Sequence, residues 1–559
     1  MFTFRGTRTR VLGFLWVLVA GLLAPTIASA GTFGLTSTTK YYVVDTGAGL
    51  VFKIRRLDSG SNQQAGGDLA SIVYNGVQYQ DQSRGSQLNL GADSLYDDGT
   101  DATVEAEQVD DDHIKITVTQ GDLIHYYLAV KGEARIYMGT VFTSEPQNGY
   151  VRYIVRVPYA KLPYGPEASD MNNATVSVES EDISALTTGE TRSKHYSGLR
   201  AKDWSYIGAT GSDIGMWMVR GNSEGMSGGP FYRCLNNRAG TDQEITYMIN
   251  YGMAQTEDFR FGILNTYALV FTDGSAPDTD AIDFSWMADM GLEGYLSADG
   301  RGAVSGSVTS GIDTSTYEYT VGLSNDEAQY WGDVSASDGS FSIASVRPGD
   351  YTLKVYKNEL AVYTGTATVS AGETTATGDI TVTGDPSDDT ALWRIGDWDG
   401  TPGEFLNATN VIAMHPSDPR LSSWSPGDYV VGESEDATGF PAYQWKDVNN
   451  SQVITFTLTS DEIVKSTVRV GITVAYGSAR PRIVVNDWTS TAPSASTQPD
   501  TRSLTVGTYR GNNKTYSFTV PASALQVGEN TLTLKLISGA SGSDYLSPGV
   551  AYDAIDFLQ

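Results

Sequence analysis

From residue 31 onward the chain is written in short alternating runs and almost nowhere in the period of a helix. Tyr41-Tyr42-Val43-Val44, Ile114-Lys115-Ile116-Thr117-Val118 and Tyr150-Val151-Arg152-Tyr153-Ile154-Val155-Arg156-Val157 are typical, rich in β-branched and aromatic residues and bounded by Gly, Asn and Asp clusters. Successive side chains of a strand point to opposite faces, so each run offers one face to a core and needs a second sheet to cover it. A parallel α/β fold is excluded, because its strands would alternate with helical patterns of roughly ten residues or more. The expected class is all-β, built from packed sandwiches.

At 559 residues the chain is too long for one ordinary core. Glycines crowd between Gly294 and Gly306, where a new and smaller set of strands begins, and Gly384-Asp385-Pro386-Ser387-Asp388-Asp389-Thr390 reads as a polar linker with turn chemistry. The boundaries that follow are 31–297 for a large sandwich, 298–384 for a seven-strand unit of roughly immunoglobulin size, and 391–559 for a jelly-roll-like domain. The loops of the last domain hold Trp398, Trp424, Tyr476, Trp488, Arg480, Arg502, Tyr509 and Arg510. Exposed, these would make a face on which a sugar ring could stack; buried, the aromatics would be core.

Residues 1–30 carry Arg5, Arg8 and Arg10, then an apolar run from Val11 to Leu23, then Ala28-Ser29-Ala30. This is the pattern of a secretory signal cleaved after Ala30, and an extracellular location is expected. Removing those three arginines takes the formal charge from -29 to -32, a field that disfavours nucleic acid and anionic membranes as partners. No later stretch is apolar enough to span a bilayer, and a soluble monomer is expected. The single cysteine, Cys234, rules out an intramolecular disulfide. His113, His125, His195 and His415 show no paired ligand spacing, so no metal site is expected, although 66 carboxylates leave a structural calcium open.

Charge changes sign locally. Between Arg152 and Arg260 eleven Lys/Arg face thirteen Asp/Glu, so this segment is nearly neutral inside a strongly acidic chain. A basic groove there could still hold a polyanion, since repulsion between exposed charges fades beyond roughly 8 to 10 Å at physiological salt.

Within that segment stand Arg152, then Glu190-Thr191-Arg192-Ser193-Lys194-His195-Tyr196-Ser197, Ser227-Gly228-Gly229-Pro230-Phe231 and Gly252-Met253-Ala254-Gln255-Thr256-Glu257. Farther on come Gly300-Arg301-Gly302, Ala328-Gln329-Tyr330-Trp331, Ile395-Gly396-Asp397-Trp398-Asp399-Gly400, Met414-His415-Pro416-Ser417-Asp418 and Asp544-Tyr545-Leu546-Ser547-Pro548. Together they resemble the rhamnogalacturonan lyases of polysaccharide lyase family 4, over essentially the whole mature chain. The resemblance implies a galactose-mutarotase-like catalytic β-sandwich, a fibronectin-III-like module and a carbohydrate-binding-like jelly roll. It also implies cofactor-free β-elimination at galacturonic acid in the rhamnogalacturonan I backbone of pectin.

That chemistry needs particular residue types. The C5 proton beside a carboxylate is scarcely acidic, so a fixed guanidinium such as Arg152, aided by Arg156 and Glu257 as substrate contacts, suits the developing charge. Lys194 is the expected base, provided burial or a neighbouring cation brings it from about 10.4 towards neutrality. The family places a histidine where this chain has Met253, and a thioether moves no proton at useful pKa. Three readings follow: Tyr247 or Tyr251 supplies the proton to the leaving oxygen, the enzyme is slow, or the fold only binds pectin. His195 adjoins Lys194 but would point to the opposite face of a shared strand.

Overall fold

The computed structural model describes residues 31–57, 64–90, 93–94, 102–144, 151–180, 182–194, 199–233, 236–250, 256–257, 259–499, 502–506 and 509–559. The signal-like segment 1–30, Cys234, His195, Tyr251 and Met253 lie outside them. The described chain is all-β, with only 3-10 turns and one four-residue helix, Asp436–Gly439, between strands. No described helix is long and apolar enough to cross a membrane.

The alternating runs become antiparallel ladders. His113–Gln120, Leu123–Val130 and Arg135–Phe142 are central in a seven-stranded sheet that also takes in Asn265–Thr272 and Ile214–Arg220. One of its faces packs Ile116, Val118, Tyr127 and Met138 against Phe52 and Ile54 of a five-stranded sheet and against Tyr153, Val155 and Tyr247 of another. The other face is closed by the 3-10 turns around Ile282, Met287 and Met290. A small three-stranded sheet, Val176–Glu179, Ile183–Ala185 and Thr191–Ser193, sits beside them.

Two further sandwiches follow. Gly302–Ser310, Ser340–Val346 and Thr374–Thr381 form a three-stranded sheet, Tyr319–Ser324, Gln329–Asp333, Gly349–Lys357 and Leu360–Val369 a four-stranded one, and Val321, Leu323, Phe341 and Leu353 fill the space between. From Ala391 two five-stranded sheets enclose Trp393, Trp445, Phe456, Ile472 and Phe557. Trp398, Trp424 and Tyr509, which a sugar-stacking face would expose, are buried here.

Charged groups join the three units. Glu224 of the first accepts two hydrogen bonds from Arg301 (2.7 and 2.9 Å) and one from Tyr330 (2.5 Å) of the second. Arg233 of the first donates to Glu359 of the second and to Tyr509 of the third, both at 2.8 Å, in a node where the glutamate is 1% exposed.

Candidate active site

The strand Val151–Pro158 pairs with Asp242–Asn250 so that Tyr153 lies opposite Tyr247 and Arg152 opposite Met248. The register divides the pair into two faces. Val151, Tyr153, Val155, Ile245, Tyr247 and Ile249 enter the main core, while Arg152, Arg156, Glu244 and Met248 lie on the opposite face.

That face is arginine-rich and closely paired. Glu244 takes Arg238 Nη1 at 2.9 Å, with Arg84 Nη2 at 3.5 Å and Arg156 Nε at 3.6 Å. Burial works against the charged carboxylate, yet the three guanidiniums outweigh it and hold Glu244 below its ordinary range. Arg156 is 5% exposed and donates Nη1 to the Gly85 carbonyl at 2.7 Å. It thereby ties its strand to the loop before Gln87–Leu90. Arg152 is half-buried, next along the same face towards Asn250.

Lys194 follows directly on Thr191–Ser193. Its backbone N–H donates to the Asp182 carbonyl at 3.2 Å, and its half-exposed ammonium is ion-paired with the Asp182 carboxylate. The strand is placed through its neighbours: it packs on the Glu167–Ser169 turn, which leads into a bridge between Asp170 and Ala239 at the edge of the arginine-bearing sheet.

The third domain holds both ends of this short strand. Asp418 accepts the Thr191 N–H and hydroxyl, each at 2.7 Å. At the other end Arg502 spreads its fork over Glu179 (Nη1, 2.6 Å) and Asp182 (Nη2, 2.7 Å). Glu179 also faces Nε2 of His415 at 3.2 Å and the Thr505 hydroxyl at 3.3 Å. Burial pushes Glu179 up, but its hydrogen bond to His415 and the charge of Arg502 outweigh that and keep it low.

Glu257 is half-buried and paired with Arg260, whose Nη1 donates to the Met226 carbonyl (2.7 Å) and to Gln329 Oε1 (3.2 Å). Gln329, from the second domain, also receives the Gly229 N–H at 3.2 Å. Gly228 and Gly229 stand at φ of 90° and 71°, a left-handed pair that side chains disfavour. Ser227 beside them takes the Asn250 amide at 2.5 Å.

Family models match the whole of this arrangement: rhamnogalacturonan lyase B, N-terminal, over residues 33–294, and polysaccharide lyase family 4 domains II and III over 300–377 and 391–557. Rhamnogalacturonate lyase A of Emericella nidulans is 38% identical over 97% of this chain and 99% of its own. That of Aspergillus aculeatus is 38% identical over 94% and 96%, and a probable rhamnogalacturonate lyase A of Aspergillus niger 39% identical over 92% and 93%. The chain belongs to the rhamnogalacturonan lyases of polysaccharide lyase family 4.

For a lyase of this family the sequence-level candidates now separate. Lys194 and Arg152 both keep partly exposed side chains, Lys194 directly after the small sheet's last strand and Arg152 on the arginine-bearing sheet. Tyr247 does not: it is 0% exposed, rings with Trp204 and Tyr267 surround it, and its hydroxyl points to the Asn222 carbonyl at 3.4 Å. It faces the core because its parity is that of Ile245 and Ile249, so it is withdrawn as proton donor. Asp182 and Glu179 were missed, and Arg502 and Asp418 were noted only as a loop arginine and a motif residue, because contacts between residues more than 200 positions apart leave no local pattern.

Proposed function

We propose that this lyase is a secreted rhamnogalacturonan endolyase that cuts the rhamnogalacturonan I backbone by β-elimination at galacturonic acid, with Lys194 as the base. Lys194 takes the C5 proton; the C–H electrons form the C4–C5 double bond; the bond from C4 to its oxygen breaks; and that oxygen collects a proton. Arg152 stands against the galacturonate carboxylate as charge builds on it. Protons move between side chains, water and substrate, so the reaction needs no cofactor. With Tyr247 enclosed, Tyr251 or a water is left to protonate the leaving oxygen, and Glu257 stands beside Gly229 as a substrate contact.

The observation that carries this reading is the half-exposed Lys194 amine fixed at the end of a strand by Asp182. Rhamnogalacturonan I incubated with the protein should gain the ultraviolet absorbance of an unsaturated uronate, and Lys194→Ala should remove that gain. Retained polymer binding with no absorbance at any pH would instead make the chain a pectin-binding protein on a lyase fold, as Met253 suggests.

The ion pair itself favours a second division of labour. The ammonium paired with Asp182 would then serve as donor to the leaving oxygen. As base, Lys194 gives a kcat that rises with pH through its ionisation; as acid, one that falls.

A further inference from the structure

We infer that Arg502, from the carbohydrate-binding-like domain, is a positioning residue for Lys194, so that the third domain completes the catalytic apparatus rather than merely anchoring the enzyme to its polymer. This rests on the reading of Lys194 as base.

The geometry is a relay. Lys194 touches Asp182; Asp182 gives its other oxygen to Arg502 at 2.7 Å; and the second arm of Arg502 is fixed on Glu179 at 2.6 Å. Glu179 is 4% exposed and is held in turn by His415 and Thr505 of the third domain. A planar guanidinium forks across two carboxylates in one orientation, which a point charge cannot do. The Asp182 oxygens are thereby aimed, one at each cation, and Lys194 receives a fixed anchor in place of a freely rotating one.

The charge balance matters as much as the aim. Asp182 alone would favour the ammonium and oppose proton abstraction. Arg502 shares that carboxylate and brings a second positive charge near Lys194. Near the strand Glu190 is paired with Arg192 at 3.4 Å, Asp418 with Arg420 at 2.8 Å and Glu179 with His415 at 3.2 Å, while Glu167 stands on the turn packed against it. Losing Arg502 takes one positive charge away from Asp182 and Lys194. The third domain has its own large core and does not need this contact to fold. Arg502 itself is 31% exposed, at the rim of the interface.

The test is the pH dependence of kcat on rhamnogalacturonan I for the full chain and its Arg502→Ala, Arg502→Gln and Arg502→Lys variants, with thermal midpoints measured alongside. The expected result is a kcat lower by about 10- to 100-fold in R502A and R502Q, the size of loss that misplacing a reacting group brings. KM should change far less. The acidic limb of the profile should move to higher pH in both, and R502K, which keeps a cation opposite Asp182, should return the limb towards its original place. A parental kcat and limb in R502Q would overturn the proposal. So would equal losses in R502K and R502Q with an unmoved limb, which would mark a plain packing role. Should R502A fail to fold, R502Q and R502K decide the matter. If Lys194→Ala keeps parental turnover, the base assignment falls; if it abolishes turnover while R502Q leaves the limb in place, the relay alone falls. Movement of the alkaline limb instead would make Lys194 the acid, and the proposal as stated would fail with that reading.

Discussion

Two ionic nodes fasten the third domain to the rest of the molecule, and they differ in one respect. Around Arg233, Glu359 and Tyr509 every partner is buried, and each of the three domains supplies one of them. Around Arg502, Asp182 and Lys194 the side chains stand 31%, 22% and 27% exposed. Burial turns an ion pair into a lock, because breaking it strands a charge in low dielectric. Exposure leaves the pair cheap to rearrange. A base that changes its protonation in every turnover, as proposed for Lys194, suits the second setting. The difference teaches that the domain interface is enclosed at its centre and open to solvent at the rim beside Lys194.

The comparison breaks most visibly if the wrong node carries the chemistry. Lys194→Ala is expected to lower kcat by about 100- to 10,000-fold, the usual value of a general acid or base, while its thermal midpoint stays near that of the parent. The converse is expected of Glu359→Ala: a loss of about 3–5 kcal/mol in stability from the uncompensated Arg233, read by denaturant unfolding, with normal chemistry per folded molecule. Were Glu359→Ala to leave stability untouched, the central lock would be no lock.

How much of this was legible from the chain is uneven, for physical reasons. Strand parity and turn composition are local, so the all-β class could be read directly from runs such as Ile114 to Val118. Parity also puts Arg152 and Arg156 on one face, but it does not say what else lies there. The Gly85 carbonyl, from a loop, and Glu244, from the paired strand, which enclose Arg156, are far away in sequence. Tyr247 has the same difficulty: alternation gives two faces, and only the partner sheet says which is core. Arg502 was noticed as one of several loop arginines suited to a sugar face, yet it turns inward to Glu179 and Asp182, more than 300 residues earlier.

A second contrast lies among the carboxylates at and beyond the third-domain interface. Asp418 and Glu179, at the rim, are held low by guanidiniums and hydrogen bonds that outweigh burial. At Glu404 and Asp399 burial outweighs the hydrogen bonds they accept, from the Asp397 N–H and from Asn358 and Thr401, and pushes them up to about 9 and about 6. The signs are opposite. A carboxyl raised in the folded state favours folding at low pH and loses that contribution as pH climbs from the unfolded value to the folded one. Stability of the third domain should therefore fall between pH of about 4.5 and 9, and Glu404→Gln should flatten that fall. Carboxyls held low act the other way, so acid should loosen the rim below its ordinary carboxylate range. A thermal midpoint that rose steadily from pH 5 to 9 would contradict the raised pair.

The smallest expected effect separates aim from charge at the other end of the catalytic strand. Asp418 holds Thr191 through two neutral donors, and Arg420, 38% exposed, adds a salt bridge from the solvent side. The Asp418 carboxylate left behind is buried but keeps both Thr191 donors, so losing Arg420 should cost about 1 kcal/mol, the net worth of one hydrogen bond. Arg420→Ala should thus leave stability within that margin and kcat within about two-fold, because the Thr191 N–H and hydroxyl still find the same oxygen and the strand keeps its place. Asp418→Ala removes the acceptor itself and leaves a buried N–H without its partner, a cost of about 1–3 kcal/mol. The interval between these two variants measures how much of the clamp on the Lys194 strand is geometry. An Arg420→Ala loss as large as that of Asp418→Ala would mean that the strand is held by charge at both ends, and that the exposed rim is stiffer than its solvent contact implies.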